Sequence, residues 1–338
     1  MKSIEELEDR LSQPSNELIH DLGKIDGDIL ILGVGGKMGP SLALLAQRAS
    51  QASSNPKRII GVSRFSDGGL REQLEDQGIE TISADLMIED DLQSLPEVKN
   101  VIYMVGKKFG TGGNEHLTWA MNSYLPGRVA EKFRNSRIIV FSSGNIYPFV
   151  PVYSGGATEL TSPEPLGEYA QSCLGRERIF EHFSHKYEIP MLIYRLNYAV
   201  EMRYGNLLEI ATAVYEGKPI DLQVGHMNVI WQGDANEIAL RSLLHCSHPP
   251  KLLNVTGPET ISIRWVAEEF GRRMGRSPQF SHEEGSTSLL NNAALAQQMF
   301  GYPSVSLTQM IDWTAEWVQN DGATLGKPTH FQVRSGKF

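Results

Sequence analysis

Short apolar runs recur between residues 28 and 196, and each one ends at a glycine or a polar residue. Segments with the spacing of amphipathic helices separate them. The runs are residues 28–34, 58–63, 80–83, 100–105, 137–142 and 191–196, and the helical segments are residues 41–49, 69–77, 115–133 and 167–187. Strands that are apolar throughout are buried on both faces, and their alternation with helices is typical of crossover connections. The pattern predicts an α/β fold with a doubly wound parallel sheet.

The regular alternation of apolar runs and helical segments ends near residue 200, and glycine and proline residues such as Gly217–Pro219 and Gly257–Pro258 interrupt the more mixed segments that follow. The boundaries that we predict are residues 1–26 for an N-terminal helical extension and 27–200 for the α/β domain, to which 228–256 return. Residues 201–227 and 257–338 are then a smaller lobe with a tail. The last segment, residues 326–338, has no pattern that predicts a structure.

Composition and charge indicate which kinds of partner, location and metal site the chain is expected to lack. The chain has 338 residues, 41% of them hydrophobic, and a formal net charge of −9 without a lysine or arginine cluster, which argues against a nucleic-acid surface. Neither a membrane span nor a signal peptide is present, because long apolar windows are absent. Two cysteines, Cys173 and Cys246, make no disulfide framework, and the histidines lack metal-ligand spacing. We therefore expect a cytoplasmic protein without a metal.

The first apolar run leads into a glycine-rich turn that precedes a helix. Glycines there permit a tight turn and a close approach of the backbone to a pyrophosphate, which the helix N-terminus attracts. The spacing G-x-G-x-x-G fails because its last position is Met38. The spacing G-x-x-G-x-x-G fits Gly33, Gly36 and Gly39. We predict a dinucleotide-binding turn that includes Lys37 and Met38, and the alternative is a tight turn without a ligand.

The end of the second run indicates which dinucleotide binds. An acid at this position prefers the ribose of NAD, whereas an arginine accommodates the 2′-phosphate of NADP. Here Ser63 and Arg64 follow the run, and no acid occurs before Asp67. We therefore predict NADP in preference to NAD, with Ser63 and Arg64 as ligands. The alternative is that Arg64 is a solvated loop residue.

Two further segments carry side chains suited to proton transfer at a hydroxyl group. Residues 141–148 are FSSGNIYP, and residues 166–177 are LGEYAQSCLGRE. They resemble the SSxxxY segment and the YGxSKxxxE helix of the extended short-chain dehydrogenases/reductases, the NAD(P)-dependent epimerase/dehydratase family. The resemblance implies a Rossmann fold with a C-terminal substrate-binding lobe. It also implies that Tyr169 is the catalytic acid/base and that Ser143 holds the substrate oxygen.

The same resemblance implies cofactor contacts at the ends of other strands. Asp85 and Leu86 follow the third strand, where the family contacts adenine, although Asp85 could instead cap the next helix. Tyr169 is expected to contact the cofactor as well. The other implied contacts are Val105, Gly106, Asn122 and Asn197.

One position departs from the family. The lysine of the YxxxK motif is Cys173 here, and a thiol cannot supply a permanent positive charge. Lys107, next to Lys108 in the loop after the fourth strand, is a speculative substitute in the catalytic site. A solvated loop is the alternative for both lysines.

Taken together, these motifs predict an NAD(P)-dependent oxidoreductase or epimerase/dehydratase that transfers a hydride on a small polyhydroxylated or carbonyl substrate. Met227 replaces the arginine with which nucleotide-sugar enzymes of the family bind a diphosphate, which favours a substrate without a nucleotide. The alternative is a nucleotide sugar whose diphosphate is bound by Arg203 or Arg264 instead. The alternative is a catalytically impaired dinucleotide-binding sensor or scaffold, which Cys173 would suit. By the same resemblance, helices 115–133 and 167–187 are expected to form a homodimer interface.

Overall fold

Seven parallel strands form the central sheet of this computed structural model, which describes residues 1–66, 68–108 and 112–336. They are β1 (Ile29–Leu32), β2 (Ile59–Ser63), β3 (Glu80–Ser83), β4 (Asn100–Tyr103), β5 (Arg137–Ser143), β6 (Met191–Leu196) and β7 (Lys251–Val255). Their order across the sheet is β7-β6-β5-β4-β1-β2-β3, and every neighbouring pair is parallel. The predicted doubly wound α/β sheet is confirmed.

Helices connect the strands and cover both faces of the sheet. They are α1 (Ile4–Leu11), α2 (Asn16–Gly23), α3 (Gly39–Ala52), α4 (Leu70–Asp76), α5 (Glu89–Ser94), α6 (Glu115–Trp119), α7 (Leu125–Lys132), α8 (Gly167–Tyr187), α9 (Asn206–Glu216), α10 (Gln232–Arg241), α11 (Ile263–Met274), α12 (Ala294–Phe300) and α13 (Leu307–Gln319). Within the described ranges, every helix is too short or too polar to cross a bilayer.

The segment 115–133, predicted as one continuous helix, is interrupted in its interior. A π-helical turn at Ala120–Tyr124 separates α6 from α7. Such turns rotate a side chain out of its helical position and occur frequently at functional sites. Here the turn carries Asn122, whose amide bonds to the loop after β4, so a distant contact decides the local geometry.

Two apolar layers flank the sheet because successive side chains of a strand point to opposite faces. In β1, Ile29 and Ile31 pack in one layer with α3, and Leu30 and Leu32 pack in the other with α7. All four side chains are fully buried. Burial on both faces explains why this strand reads as a continuous apolar run.

A third apolar core lies outside the sheet and joins the N-terminal helix to the second lobe. Leu7 and Leu11 of α1 are buried there with residues of α9, α11 and α13. Short strand pairs edge this lobe and its junction with the sheet domain: Val150–Pro151 with Thr287–Ser288, Ala199–Val200 with Ile230–Trp231, Pro219–Asp221 with Gln279–Ser281, and His226–Met227 with Ile261–Ser262. The lobe therefore covers the end of the sheet where the glycine-rich turn lies.

Candidate active site

The candidate site lies at the carboxyl ends of β1 and β4, where the strand order reverses direction. Ligands of open α/β sheets bind in the crevice at this switch point. The backbone of Gly33 leaves β1 with φ +91°, and a Cβ at Gly33 would lie 3.1 Å from Val105 after β4. Two predicted cofactor residues therefore meet at this crevice.

The glycine-rich turn fits a pyrophosphate. A Cβ at Gly39 would lie 2.2 Å from the Val34 carbonyl oxygen, so only glycine lets α3 start this close to β1. Among the described residues, α3 has no acidic side chain in its first turn and no side-chain cap. Its positive N-terminal end is therefore left for an external anion. Gly36 is exposed on this turn.

Lys37 turns from this loop toward the second lobe. Its Nζ lies 3.1 Å from the centre of the Tyr204 ring, a cation–π contact. Burial, together with the positive charges of Lys108 and Lys327, lowers the pKa of Lys37 to about 7. Three ammonium groups thus share one region, an arrangement that favours a bound anion.

Arg64 and Asp85 face each other across the ends of β2 and β3. The Arg64 guanidinium is 4.0 Å from an Asp85 carboxylate oxygen, and both side chains remain more than one-third exposed. Asp85 Oδ1 also accepts a hydrogen bond from the Met87 N–H in the turn before α5. The N-cap of α5 is Ile88 and no side chain caps that helix, so Asp85 is not its capping residue. Leu86 is buried. A Cβ at Gly35 would lie 2.5 Å from the Ser63 hydroxyl, so that hydroxyl borders the turn. Asp67 lies outside the described residues.

The structure brings Ser143 and Tyr169 together. Ser143 ends β5, and Tyr169 lies in the first turn of α8. The side chains of Ser143 and Cys173 both act on the pKa of the Tyr169 hydroxyl, which places them beside it. The Ser143 hydroxyl also accepts from the Asn145 N–H at 3.2 Å, which fixes its orientation. A hydroxyl pair of this kind can hold a substrate oxygen and exchange its proton.

Burial is the largest influence on the pKa of Tyr169 and of its neighbour Cys173. Burial and the neighbouring Cys173 raise the pKa of the Tyr169 hydroxyl, while Arg176 and Ser143 act in the opposite direction. Burial also raises the pKa of the Cys173 thiol, so the thiol is neutral near pH 7. Cys173 therefore supplies no positive charge to Tyr169.

Asn122 fixes the loop after β4. Its side-chain oxygen accepts from the Lys107 N–H at 2.9 Å, and its Nδ2 donates to the Lys107 carbonyl oxygen at 3.0 Å. Gly106 is exposed directly before this anchor. The Nζ of Lys108, the next residue, lies 5.8 Å from the centre of the Tyr169 ring. Burial lowers the pKa of Lys108 to about 8.

Arg176 is not among the predicted site residues, although it is buried on α8 behind Tyr169. Its two terminal nitrogens donate at 2.8 Å, one to the Phe141 carbonyl oxygen and one to the side-chain oxygen of Asn122. The sequence contains one indication of its position, since Arg176 follows Cys173 by three residues and thus shares its helix face.

A buried ionic network supports the other side of the site. Glu177 accepts from the Ser142 hydroxyl at 2.5 Å and from Arg195 Nη2 at 2.7 Å. Arg195 in turn donates to the Tyr147 hydroxyl at 2.6 Å, which donates to Asn254 at 2.9 Å. The network connects α8 to β5, β6 and β7, and it positions the strand end that carries Ser143.

Asn197 lies at the end of β6, beside the Gly144 backbone. Its N–H donates to the Val255 carbonyl oxygen at 3.0 Å. The Asn197 Nδ2 is buried and has no hydrogen-bond partner among the described residues. Buried amides are normally paired. An open donor at this edge fits a ligand contact, as the sequence predicts.

Residues of the C-terminal segment cover the substrate side of the site. Thr329 and Phe331 are buried, and the Thr329 carbonyl oxygen accepts from Lys108 Nζ at 3.3 Å. Arg334 lies 4.2 Å above the Phe149 ring and donates to the Thr287 carbonyl oxygen at 2.7 Å. The remaining cavity beside Asn145, Tyr198 and Phe331 has a volume of about 30 Å³, room for one or two waters.

A larger crevice of about 530 Å³ lies elsewhere, between α1 and the start of α13. Two of its three lining carboxylates are paired inside the chain, because Asp234 accepts from Ser304 and Glu237 accepts from Ser15, each at 2.6 Å; the third is Glu17.

The fold and this site define a class: a dinucleotide-binding α/β protein with a tyrosine–serine pair beside the cofactor crevice. Residues 29–215 match the NAD dependent epimerase/dehydratase family. The chain belongs to that family, among the extended short-chain dehydrogenases/reductases. The predicted enzyme class, an NAD(P)-dependent oxidoreductase or epimerase/dehydratase, is confirmed. The impaired sensor alternative has no support. A comparison with curated proteins finds no match to this chain.

Solved structures agree with this assignment at the level of the fold. A UDP-glucuronic acid 4-epimerase from Bacillus cereus has a TM-score of 0.73 at 17% identity, covering 86% of this chain and 99% of its own. A UDP-glucose 4-epimerase from Thermus thermophilus, in complex with NAD, has a TM-score of 0.70 at 16% identity over 86% and 99%. The UDP-glucose 4-epimerase of Thermotoga maritima has a TM-score of 0.69 at 14% identity over 87% and 99%.

Proposed function

We propose that this enzyme transfers a hydride between a nicotinamide dinucleotide and a carbinol carbon of a small polyhydroxylated or carbonyl substrate. The dinucleotide, when bound, supplies the hydride acceptor. Tyr169 exchanges the proton of the substrate hydroxyl, and Ser143 holds its oxygen. The proposal rests on the proximity of these two hydroxyl groups at the carboxyl edge of the sheet, where Ser143 ends β5 and Tyr169 lies in the first turn of α8.

The residues that would hold the dinucleotide come from several strand ends. The uncapped N-terminus of α3 and the turn before it suit the pyrophosphate. The open amide of Asn197 suits a polar group near the reacting end. The complete proposed set is Gly33, Gly36, Lys37, Met38, Gly39, Ser63, Arg64, Asp85, Leu86, Val105, Gly106, Asn122, Tyr169 and Asn197.

NADP is the proposed preferred dinucleotide. The exposed Arg64 guanidinium at the end of β2 supports this preference, because it can bind a 2′-phosphate with two hydrogen bonds. Calorimetric titration of the purified protein with NADPH and NADH tests it. We expect tighter binding of NADPH, and an Arg64→Ala variant that loses this preference. Equal affinities, or a preference for NADH, would remove Arg64 from the proposed site.

A substrate without a nucleotide is also proposed. Met227 is buried, and its sulfur contacts Asn206 Nδ2 at 3.6 Å. Arg203 is engaged by Glu201 at 3.1 Å, and Arg264 by Glu284 at 3.6 Å. The arginines that could bind a diphosphate in the second lobe thus already have carboxylate partners.

The Tyr169→Phe variant tests the proposed chemistry. Loss of the acid/base should lower the turnover number by about 10²- to 10⁴-fold, while the dinucleotide still binds through the other residues of the proposed set. Hydride transfer is followed by nicotinamide absorbance with a panel of small polyols, aldehydes and ketones. Full activity in the variant contradicts the role of Tyr169. A wild-type protein that binds the dinucleotide but turns over no member of the panel would favour a sensor.

A homodimer in a reducing, cytoplasmic compartment completes the proposal. Leu117, Trp119 and Tyr124 are exposed on the α6–α7 segment, where the predicted interface lies. Cys173 and Cys246 are both free thiols. Light scattering coupled to size exclusion checks the assembly. A mass of one chain at micromolar concentration would contradict the dimer.

A further inference from the structure

We propose that the Arg176 guanidinium supplies the fixed positive charge of the active site, in place of the lysine that Cys173 cannot provide. This assignment rests on the proposed hydride-transfer function. It identifies the residue that lets Tyr169 act as a base although its own helix lacks the motif lysine.

The position of Arg176 on α8 makes the substitution possible. Tyr169, Cys173 and Arg176 follow each other at spacings of four and three residues, which places all three on one face of the helix. The face is directed toward the sheet, because Cys173 is 0% and Arg176 is 5% exposed. An arginine is longer than a lysine, and from one turn further along the helix its head reaches back toward the same region.

Hydrogen bonds hold the guanidinium at the carboxyl edge of β4 and β5. One terminal nitrogen donates to the Phe141 carbonyl oxygen in β5, and the other donates to Asn122, each at 2.8 Å. A Cβ at Gly106 would lie 2.7 Å from the second nitrogen. The group therefore lies directly beneath the loop that borders the proposed dinucleotide site.

Arg176 forms no ion pair with a carboxylate of the described part of the chain. Both hydrogen-bond acceptors are neutral, and within the described residues no carboxylate oxygen lies within 4.0 Å of its nitrogens. The adjacent Glu177 is paired with Arg195 instead. The Nε of Arg176 is buried and has no hydrogen-bond partner among the described residues. A buried cation of this kind is costly to the fold, so a functional reason for it is expected.

The neighbours that feel this charge are the proposed catalytic groups. The groups that face the Tyr169 ring and hydroxyl are Ser143, Cys173, Arg176 and Lys108. Arg176 lowers the pKa of both Tyr169 and Cys173 against the larger effect of burial. Lys108, with its pKa near 8, loses its charge at alkaline pH, whereas an arginine does not.

A double-mutant cycle of thermal stability tests whether a positive charge at position 173 and one at position 176 occupy the same region. We expect Cys173→Lys alone to lower the Tm by about 5 °C or more, because two buried cations then repel each other. In the Arg176→Met background the same lysine should be tolerated, with a smaller loss. Equal losses in the two backgrounds would show that the charges do not share a site and would overturn the proposal.

The pH dependence of alcohol oxidation tests the catalytic effect. Arg176→Met should move the rise of the oxidation rate to higher pH by about one pH unit or more and reduce the turnover number about 10²-fold at neutral pH. Arg176→Lys, which keeps the charge, and the double variant Cys173→Lys/Arg176→Met should recover at least about tenfold of that loss. Arg178→Met, on the exposed side of α8, is the matched control and should leave the profile unchanged.

The two levels of proposal fail in different ways. If Tyr169→Phe keeps full activity, the proposed chemistry is wrong, and the stability cycle still decides whether Arg176 occupies the position. If Tyr169→Phe is inactive but Arg176→Met has the wild-type pH profile, the chemistry stands and Arg176 is only structural.

Discussion

Single side chains in this protein acquire their chemical properties from groups that are distant in the sequence. Tyr169 has a high pKa because it is buried beside Cys173, and the opposing influences come from Arg176 on the same helix and Ser143 on β5. The environment shifts the pKa of Lys37 as well, but downward. Burial and the charges of two other lysines lower it to about 7. Such shifts cluster at functional sites.

Lys37 makes dinucleotide binding pH-dependent. In the free protein its amine is half protonated near pH 7, whereas a bound pyrophosphate favours the protonated form. Affinity should therefore be highest below pH 7 and should fall as the pH rises from about 7 toward the raised pKa of the complex. Calorimetry of dinucleotide binding between pH 6 and pH 9 measures this slope.

Two variants control that measurement. Lys37→Met should flatten the pH dependence of the dissociation constant, and Lys99→Met, an exposed lysine beside Asp26, should leave it as in the wild type. The sign for stability is opposite: a lowered folded-state pKa means that charged Lys37 costs stability below pH 7, and this cost disappears as the pH rises toward 10.5. An affinity that is constant with pH would contradict the role of Lys37.

At the scale of elements, α8 carries a residue of the proposed site and a stabilising ion pair on adjacent positions. Arg176 faces the loop after β4, while Glu177 joins the ionic network that reaches β5 and β6. The network explains how α8 can bury the Glu177 carboxylate against the sheet, because that charge is paired with Arg195. The π-helical turn before α7 has a similar cause, since Asn122 must reach Lys107 and Arg176 at once.

Removal of the Glu177 charge should destabilise the fold strongly. In Glu177→Gln the Arg195 guanidinium stays buried without its ionic partner, which should lower the free energy of unfolding by about 3 to 5 kcal/mol. Urea unfolding followed by tryptophan fluorescence measures the loss. Glu181→Gln, whose exposed partner is Arg178, should cost less than about 1 kcal/mol. Similar losses in the two variants would mean that the buried pair contributes no special stability.

At the scale of the whole molecule, the C-terminal segment covers the substrate side of the proposed site. Its residues Thr329 and Phe331 are buried against the site, and a cavity of about 30 Å³ remains. A polyol of several carbons needs more than this volume, so the segment must move for such a substrate to enter. The anchors that it would release include Arg334 with Thr287.

Removal of residues 326–338 should widen the range of substrates. We expect a lower KM for substrates of four or more carbons, because the segment covers the substrate side of the proposed site. The dinucleotide should bind more weakly, since the truncation also removes Lys327, whose positive charge acts on Lys37. Arg334→Ala, which loosens the anchor without exposing Phe331, should change KM in the same direction by less. Steady-state kinetics on polyols of increasing length measures both. An unchanged KM across the series would mean that the segment does not restrict access.

The order of elements and the location of the crevice follow from the sequence itself. Continuous apolar runs with helical segments between them are local patterns, and they correctly predict the parallel sheet. The glycine spacing before α3 is mostly local as well. Gly36 and Gly39 each lie against backbone atoms within five residues, and Gly33 lies against Val105 at the end of the neighbouring strand β4. For the same reason the hydroxyl pair of Ser143 and Tyr169 is indicated by two short motifs.

Only the tertiary structure decides which charges act on that pair. Lys107 is the charge predicted from position in the chain, yet packing places the guanidinium of Arg176 on Asn122 and the amine of Lys108 near the Tyr169 ring. Which side chains on different strands contact each other depends on the directions in which long, flexible side chains extend in the packed molecule. The spacing of residues along the chain does not encode these directions. The C-terminal segment is the clearest case, because residues 326–336 have no periodic pattern and obtain their position entirely from the surfaces that they cover.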